Sequence, residues 1–101
     1  MRAPGKLTEE EFMAQVINLA TLFNWKVYHT RDSRRSVKGF PDLLLLRGGV
    51  QIVAELKVLP NKTTPAQDEW LNAFRRASVA AFVWYPDDWK EIERVLGAET
   101  C

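Results

Sequence analysis

Three side chains in the middle of the chain, Asp42, Glu55 and Lys57, are of types that together could work on a phosphate ester. Glu55 and Lys57 lie two apart in the segment VQIVAELKV, so in a strand they share a face while Leu56 points the other way, into a core. Burying an acid and a lysine together is costly unless they are paired or bind an ion. Two carboxylates brought together resist joint ionisation unless a cation sits between them. With only one histidine and one cysteine in the chain, oxygen ligands favour a hard ion, Mg2+ or Mn2+, over zinc. Such an ion keeps several waters and shares its shell with substrate phosphate. Asp42, Glu55 and the outward-facing carbonyl of Leu56 would be the protein's share. Lys57 could then orient or deprotonate an attacking water, or neutralise charge on the phosphorus.

These residues meet only if the chain folds them together. The segment Asp42–Arg47 (DLLLLR) fits helix or strand by periodicity, and its shortness, with Pro41 before it and Gly48-Gly49 after it, favours a strand. It reads as a strand buried on both faces. Gly48-Gly49 suits a tight hairpin, because glycine accepts positive φ without steric cost. With Arg47 opposite Val50, Asp42 falls opposite about Glu55, at the far end of the pair. Around this hairpin, Thr8 and Glu11 have the spacing of a capping box, and Phe12, Val16, Leu19 and Phe23 recur at helical spacing, so a first helix runs from about 9 to 23. Asn24 stops it. WKVYHT, residues 25–30, alternates as a strand. Pro60 and Asn61 break the returning strand, and Pro65 opens a helix to about 77, with Trp70, Leu71, Phe74 and Ala77 on its apolar side. AAFVWY, residues 80–85, is a further strand, and 87–96 a final helix with Trp89, Ile92, Val95 and Leu96 inward. The order αβββαβα predicts an α/β domain, a mixed sheet flanked by helices. Residues 1–7 and 98–101 read as tails around a domain over 8–97.

Gly39-Phe40-Pro41-Asp42, then Glu55-Leu56-Lys57, then Gln67 on the next helix, resembles the PD-(D/E)XK, or restriction endonuclease-like, nuclease superfamily. More narrowly, the chain is similar to stand-alone VRR-NUC domains of phage and bacterial proteins. The similarity covers most of its length, including Glu11 and Gln15, WKVYHTRDSRRS, the Gln67-x-x-Trp70 pair and the closing WYPDDW, with no catalytic position missing. A bare Glu-x-Lys means little; the upstream Pro-Asp at hairpin distance, the helix glutamine and the element order make the pattern specific. The resemblance implies that Asp42 and Glu55 hold the metal and that Lys57 assists the water. It implies that Glu11 on the first helix contributes to the metal shell, against the alternative that it only caps the helix. Gln67 would lie beside the lysine and touch substrate or metal water. The activity implied is Mg2+-dependent endonucleolytic hydrolysis of DNA, with Mn2+ able to substitute. The implied substrate is branched, such as a Holliday junction, in phage or bacterial DNA repair. Relatives of this type act as homodimers, and one active site per small chain requires a two-fold pair to cut two strands. The alternatives are a binding module of the same fold that has lost catalysis, and a nicking or flap nuclease.

The remaining features concern the partner. Arg31, Arg34, Arg35 and Lys38 form a short basic stripe, opposed only by Asp32, on a chain whose net charge is +1. Such a stripe can hold phosphates, although a solvated loop has the same composition. His29 precedes it. A lone strand histidine is more often a packing or hydrogen-bonding residue, and the function assigned to it is phosphate contact beside Arg31. Trp25, Trp70, Trp84 and Trp89 lie on apolar faces and read as core, with Trp84 or Trp89 left as candidates for a subunit interface. Hydrophobic residues at 47% and charged residues at 27% exclude a disordered chain. No apolar run approaches the roughly 20 residues of a membrane span. The start MRAPGKLTEEEF lacks a signal peptide's apolar stretch, and the only cysteine, Cys101, closes no disulfide. A cytoplasmic setting is therefore expected.

Overall fold

The computed structural model describes residues 7–30 and 37–98. A capping box starts α1 (Glu9–Leu22): Thr8 Oγ1 accepts from the Glu11 N–H at 3.0 Å, and Glu11 Oε1 accepts from the Thr8 N–H at 2.9 Å. Phe12, Val16 and Ala20, each four apart, give the helix its fully buried stripe. Asn24, at φ 70°, takes the left-handed conformation that ends it. The chain then enters β1 (Lys26–His29), followed by β2 (Leu43–Arg47) and β3 (Val50–Leu56). Gly48 and Gly49, at φ 56° and 82°, make the two-residue turn between β2 and β3. A second capping box, Thr64 with Gln67, and Pro65 in the first turn start α2 (Pro65–Arg76). β4 (Ala80–Trp84) leads through a short 3-10 turn, Pro86–Asp88, into α3 (Trp89–Gly97).

The sheet order is β1-β2-β3-β4, with the first three strands antiparallel and β4 parallel to β3. This is the mixed sheet with flanking helices expected from the element order. The parallel step follows from α2, which carries the chain back over one face before β4 begins. α1 and α3 cover the other face, where Phe12, Val16, Leu43, Leu45, Ile52, Leu56, Trp84, Ile92 and Leu96 form the larger core. α2 packs Leu71 and Phe74 against Val53, Ala81 and Val83 in a smaller one.

One expectation needs correcting. β2 is not buried on both faces: Leu43 and Leu45 are fully buried, but Leu44 is half-buried and Leu46 is 44% exposed. The cause is that α2 lies over β3 and β4 and leaves the outer strands of that face open. The final helix also begins later than expected, at Trp89, because the Asp88 carboxylate folds back to accept from the Tyr85 N–H at 2.9 Å and tightens the entry into a 3-10 turn. Trp25 and Trp84 are core residues; at 1% exposure Trp84 is not available to a subunit interface. No helix among the described residues is long and apolar enough to cross a membrane.

Candidate active site

The β2–β3 register pairs Arg47 with Val50 and Leu43 with Ala54, so Asp42 stands just beyond the last pair, across from Glu55. Asp42 is fixed from two directions. Its Oδ2 accepts from the Leu56 N–H at 2.9 Å, and its backbone carbonyl accepts from the Thr30 N–H at 3.1 Å, which extends the β1–β2 ladder. Pro41, fully buried, precedes it. Gly39, at φ +85°, lets this segment press against the first turn of α2. A Cβ there would come within 2.6 Å of the Ala66 carbonyl group. Phe40 completes the docking, edge-on to Trp70 and Phe74 at 5.1 and 5.9 Å between ring centres.

The same docking brings Gln67 to Glu55. Gln67 has two roles at once: its Oε1 caps α2 by accepting from the Thr64 N–H, and its Nε2 donates to Glu55 Oε2 at 2.9 Å. Lys57 Nζ lies 3.4 Å from the same Oε2. Glu55 and Lys57 are 3% and 8% exposed, the buried charged residues among those described. Glu55 Oε1, also buried, has no hydrogen-bond partner among the described residues. Burial, then the neighbouring Asp42 charge, push the Glu55 carboxyl up to about 7, against the opposing pull of Lys57. Burial also raises Asp42, with the Leu56 N–H and Lys57 working the other way. An orphaned buried carboxylate oxygen and two carboxylates that resist ionising together are the conditions a divalent cation relieves. Among the described residues no three acidic, histidine or cysteine side chains converge on one point. The two carboxylates across the β2–β3 pair would suit an ion that leaves most of its shell to water and substrate.

Asp42 opens onto a cleft of about 460 Å³ that Leu56, His29, Thr30, Met13, Glu9 and Glu10 also line. Four of the residues picked out by sequence, Asp42, Glu55, Lys57 and Gln67, are thus brought together, and Leu56 stands between two of them. His29 reaches the cleft from the end of β1. Glu11 is placed differently. One of its oxygens caps α1, and the first-turn acids that line the cleft are Glu9 and Glu10. The family resemblance points to Glu11, with capping as the alternative role, and no spacing signal in the sequence singles out Glu9 or Glu10 beside it. Lys38 is exposed in the turn before Phe40. Arg31, Arg34 and Arg35 lie outside the described residues.

The VRR-NUC domain model matches residues 3–87. A solved structure titled a VRR_NUC domain protein is similar at TM-score 0.65 and 23% sequence identity. The match covers 90% of this chain and 91% of that one and speaks for the fold. None of the curated proteins matches.

Proposed function

Since the chain belongs to the VRR-NUC domain family, a nuclease-type domain of restriction endonuclease-like fold, we propose that it is a metal-dependent endonuclease that hydrolyses phosphodiester bonds in DNA. The observation that carries this reading is Glu55: buried, one oxygen shared by Lys57 and Gln67, the other orphaned, beside a second carboxylate. Most buried polar side-chain atoms in folded proteins have a partner, so a buried carboxylate oxygen without one calls for an explanation.

Asp42, Glu55 and the Leu56 carbonyl are the groups that would hold Mg2+, with Mn2+ able to replace it. The ion supplies charge neutralisation at the phosphate and a lower barrier to deprotonating water. The protein's own groups do the rest. The Leu56 N–H holds Asp42 in one orientation, so the carboxylate needs no reorganisation when substrate arrives. Gln67 holds Glu55 against rotation. Lys57, at 3.4 Å from Glu55, would place its side-chain nitrogen where negative charge accumulates as water attacks phosphorus and would orient that water by hydrogen bonding. Glu11 would contribute to the same shell only from behind its capping bond. His29, on the cleft wall, would meet a phosphate oxygen, and the basic residues Arg31, Arg34, Arg35 and Lys38 of the following segment would add sequence-independent phosphate contacts.

A preference for branched DNA and action as a homodimer complete the proposal. Paired incision of a junction needs two sites related by a two-fold axis, and this small chain carries one. The test is incubation of labelled duplex and four-way junction DNA with Mg2+, Mn2+ or EDTA. Metal-dependent cleavage that favours the junction, with symmetric paired cuts, is expected. DNA binding without metal-dependent cleavage would instead identify a binding module, and single nicks on the junction would remove the resolvase part of the reading.

A further inference from the structure

The loop after β3 returns to the start of α1 at one point. Asn61 Nδ2 donates to Glu9 Oε2 at 2.9 Å. Asn61 is itself held twice through its backbone: its N–H donates to the Val58 carbonyl at 3.0 Å, and its carbonyl accepts from the Tyr85 hydroxyl at 2.9 Å. Tyr85 directly follows β4, so the tether runs from the sheet, through the loop, to a glutamate on the wall of the Asp42 cleft. A glutamate in the first turn of a helix ordinarily samples several rotamers in water, and its helix start is already capped here by Thr8 and Glu11. Helix capping therefore does not account for the tether on Glu9. The choice of an amide is also informative. It occupies one carboxylate oxygen and adds no charge, whereas a lysine or arginine would neutralise the group it holds.

We propose that Asn61, anchored by Tyr85, is a positioning residue that holds Glu9 on the wall of the Asp42 cleft, outside the cation's direct ligands, where its carboxylate orders the water shell beside Asp42. The proposal rests on the nuclease reading, and it sets Glu9 where the family resemblance pointed to Glu11. Outer groups that orient an acid near a metal typically alter affinity tenfold or more when removed.

The test is Mn2+ binding by calorimetry, the Mg2+ concentration for half-maximal cleavage, and thermal melts, on wild type, Asn61→Ala, Tyr85→Phe, Glu9→Gln and the Asn61→Ala/Glu9→Gln double variant. Asn61→Ala should weaken Mn2+ binding and raise the Mg2+ requirement about three- to tenfold, and Tyr85→Phe by a smaller factor, while melting stays near wild type. The double variant should be no worse than Glu9→Gln alone, because the amide acts through that carboxylate. Wild-type metal binding in Asn61→Ala, or losses that multiply in the double variant, would overturn the proposal while leaving the nuclease reading intact. A wild-type protein that neither binds Mn2+ nor cuts would overturn both.

Discussion

The β2–β3 hairpin carries charge at both ends, and the two ends treat it differently. At the turn, Arg47 donates through Nη1 to the Phe23 and Leu96 carbonyls at 2.9 and 3.0 Å and through Nη2 to the Ala98 carbonyl. Its guanidinium lies 4.5 Å from the Trp25 ring centre. Trp25 Nε1 donates to the Leu96 carbonyl at 2.8 Å, so the exit of α1, the turn and the end of α3 are tied in one knot. At the other end, Glu55 is more deeply buried, and one of its oxygens has no partner among the described residues. The Arg47 cluster is satisfied and holds the fold together. Glu55 keeps one carboxylate oxygen unpaired in the interior, next to Asp42. A buried charge alone does not mark function, and Trp84 Nε1 is likewise buried without a partner among the described residues. What sets Glu55 apart is an unpaired carboxylate oxygen beside a second carboxylate.

Substitutions at the two ends should therefore separate activity from stability. The largest effect is expected at the Glu55 end. Asp42→Ala or Glu55→Ala should lower cleavage by about 10³-fold or more, with circular dichroism unchanged and only modest loss of DNA binding. Cleavage at the wild-type rate by either variant would remove that residue from the site. Arg47→Ala should do the opposite. Loss of its carbonyl bonds and of its packing on Trp25 should destabilise the fold by about 2–3 kcal/mol, read as a fall in Tm of roughly 10 °C, with cleavage per folded molecule within about twofold. Lost cleavage in a still-folded Arg47→Ala would erase the contrast.

A smaller effect comes from protonation. Without metal, folded Glu55 keeps its proton up to about pH 7, whereas the unfolded chain releases it near the ordinary value of 4.5. Between those values the native state binds more protons, so stability falls as pH rises through the window. Denaturant melts in EDTA from pH 4.5 to 8 should show this decline in wild type and a flatter profile in Glu55→Gln, which should also be the more stable of the two above pH 7. Parallel profiles would mean that Glu55 is not the group responsible.

Much of this arrangement could be read from local patterns. The turn at Gly48-Gly49 sets the hairpin register, and that register brings Asp42 to Glu55 without any tertiary information. Thr8 and Glu11 announce α1 through spacing alone. The same signature, Thr64 with Gln67, marks α2, and there the glutamine serves both as cap and as partner of Glu55. What stayed hidden depends on packing between distant elements. The half-open face of β2 follows from where α2 lies, and DLLLLR has the same residues whether one face is covered or two. Arg47 reads as a polar residue before a turn, yet its partners come from residues 23, 25, 96 and 98. The link from Tyr85 through Asn61 to Glu9 joins three elements distant in sequence, and no spacing rule connects them.

The central claim is that the hairpin end at Glu55 is a cation site rather than an imperfectly packed corner. Thermal melts of wild type and Glu55→Gln at pH 8, with EDTA and with Mg2+ at about 10 mM, address it without DNA. A ligand that binds only the folded state, at roughly ten times its Kd, stabilises by about 1.4 kcal/mol, which in a domain of this size raises Tm by several degrees. The account predicts that rise in wild type and its absence in Glu55→Gln. Equal shifts in both proteins, or none in wild type, would contradict it.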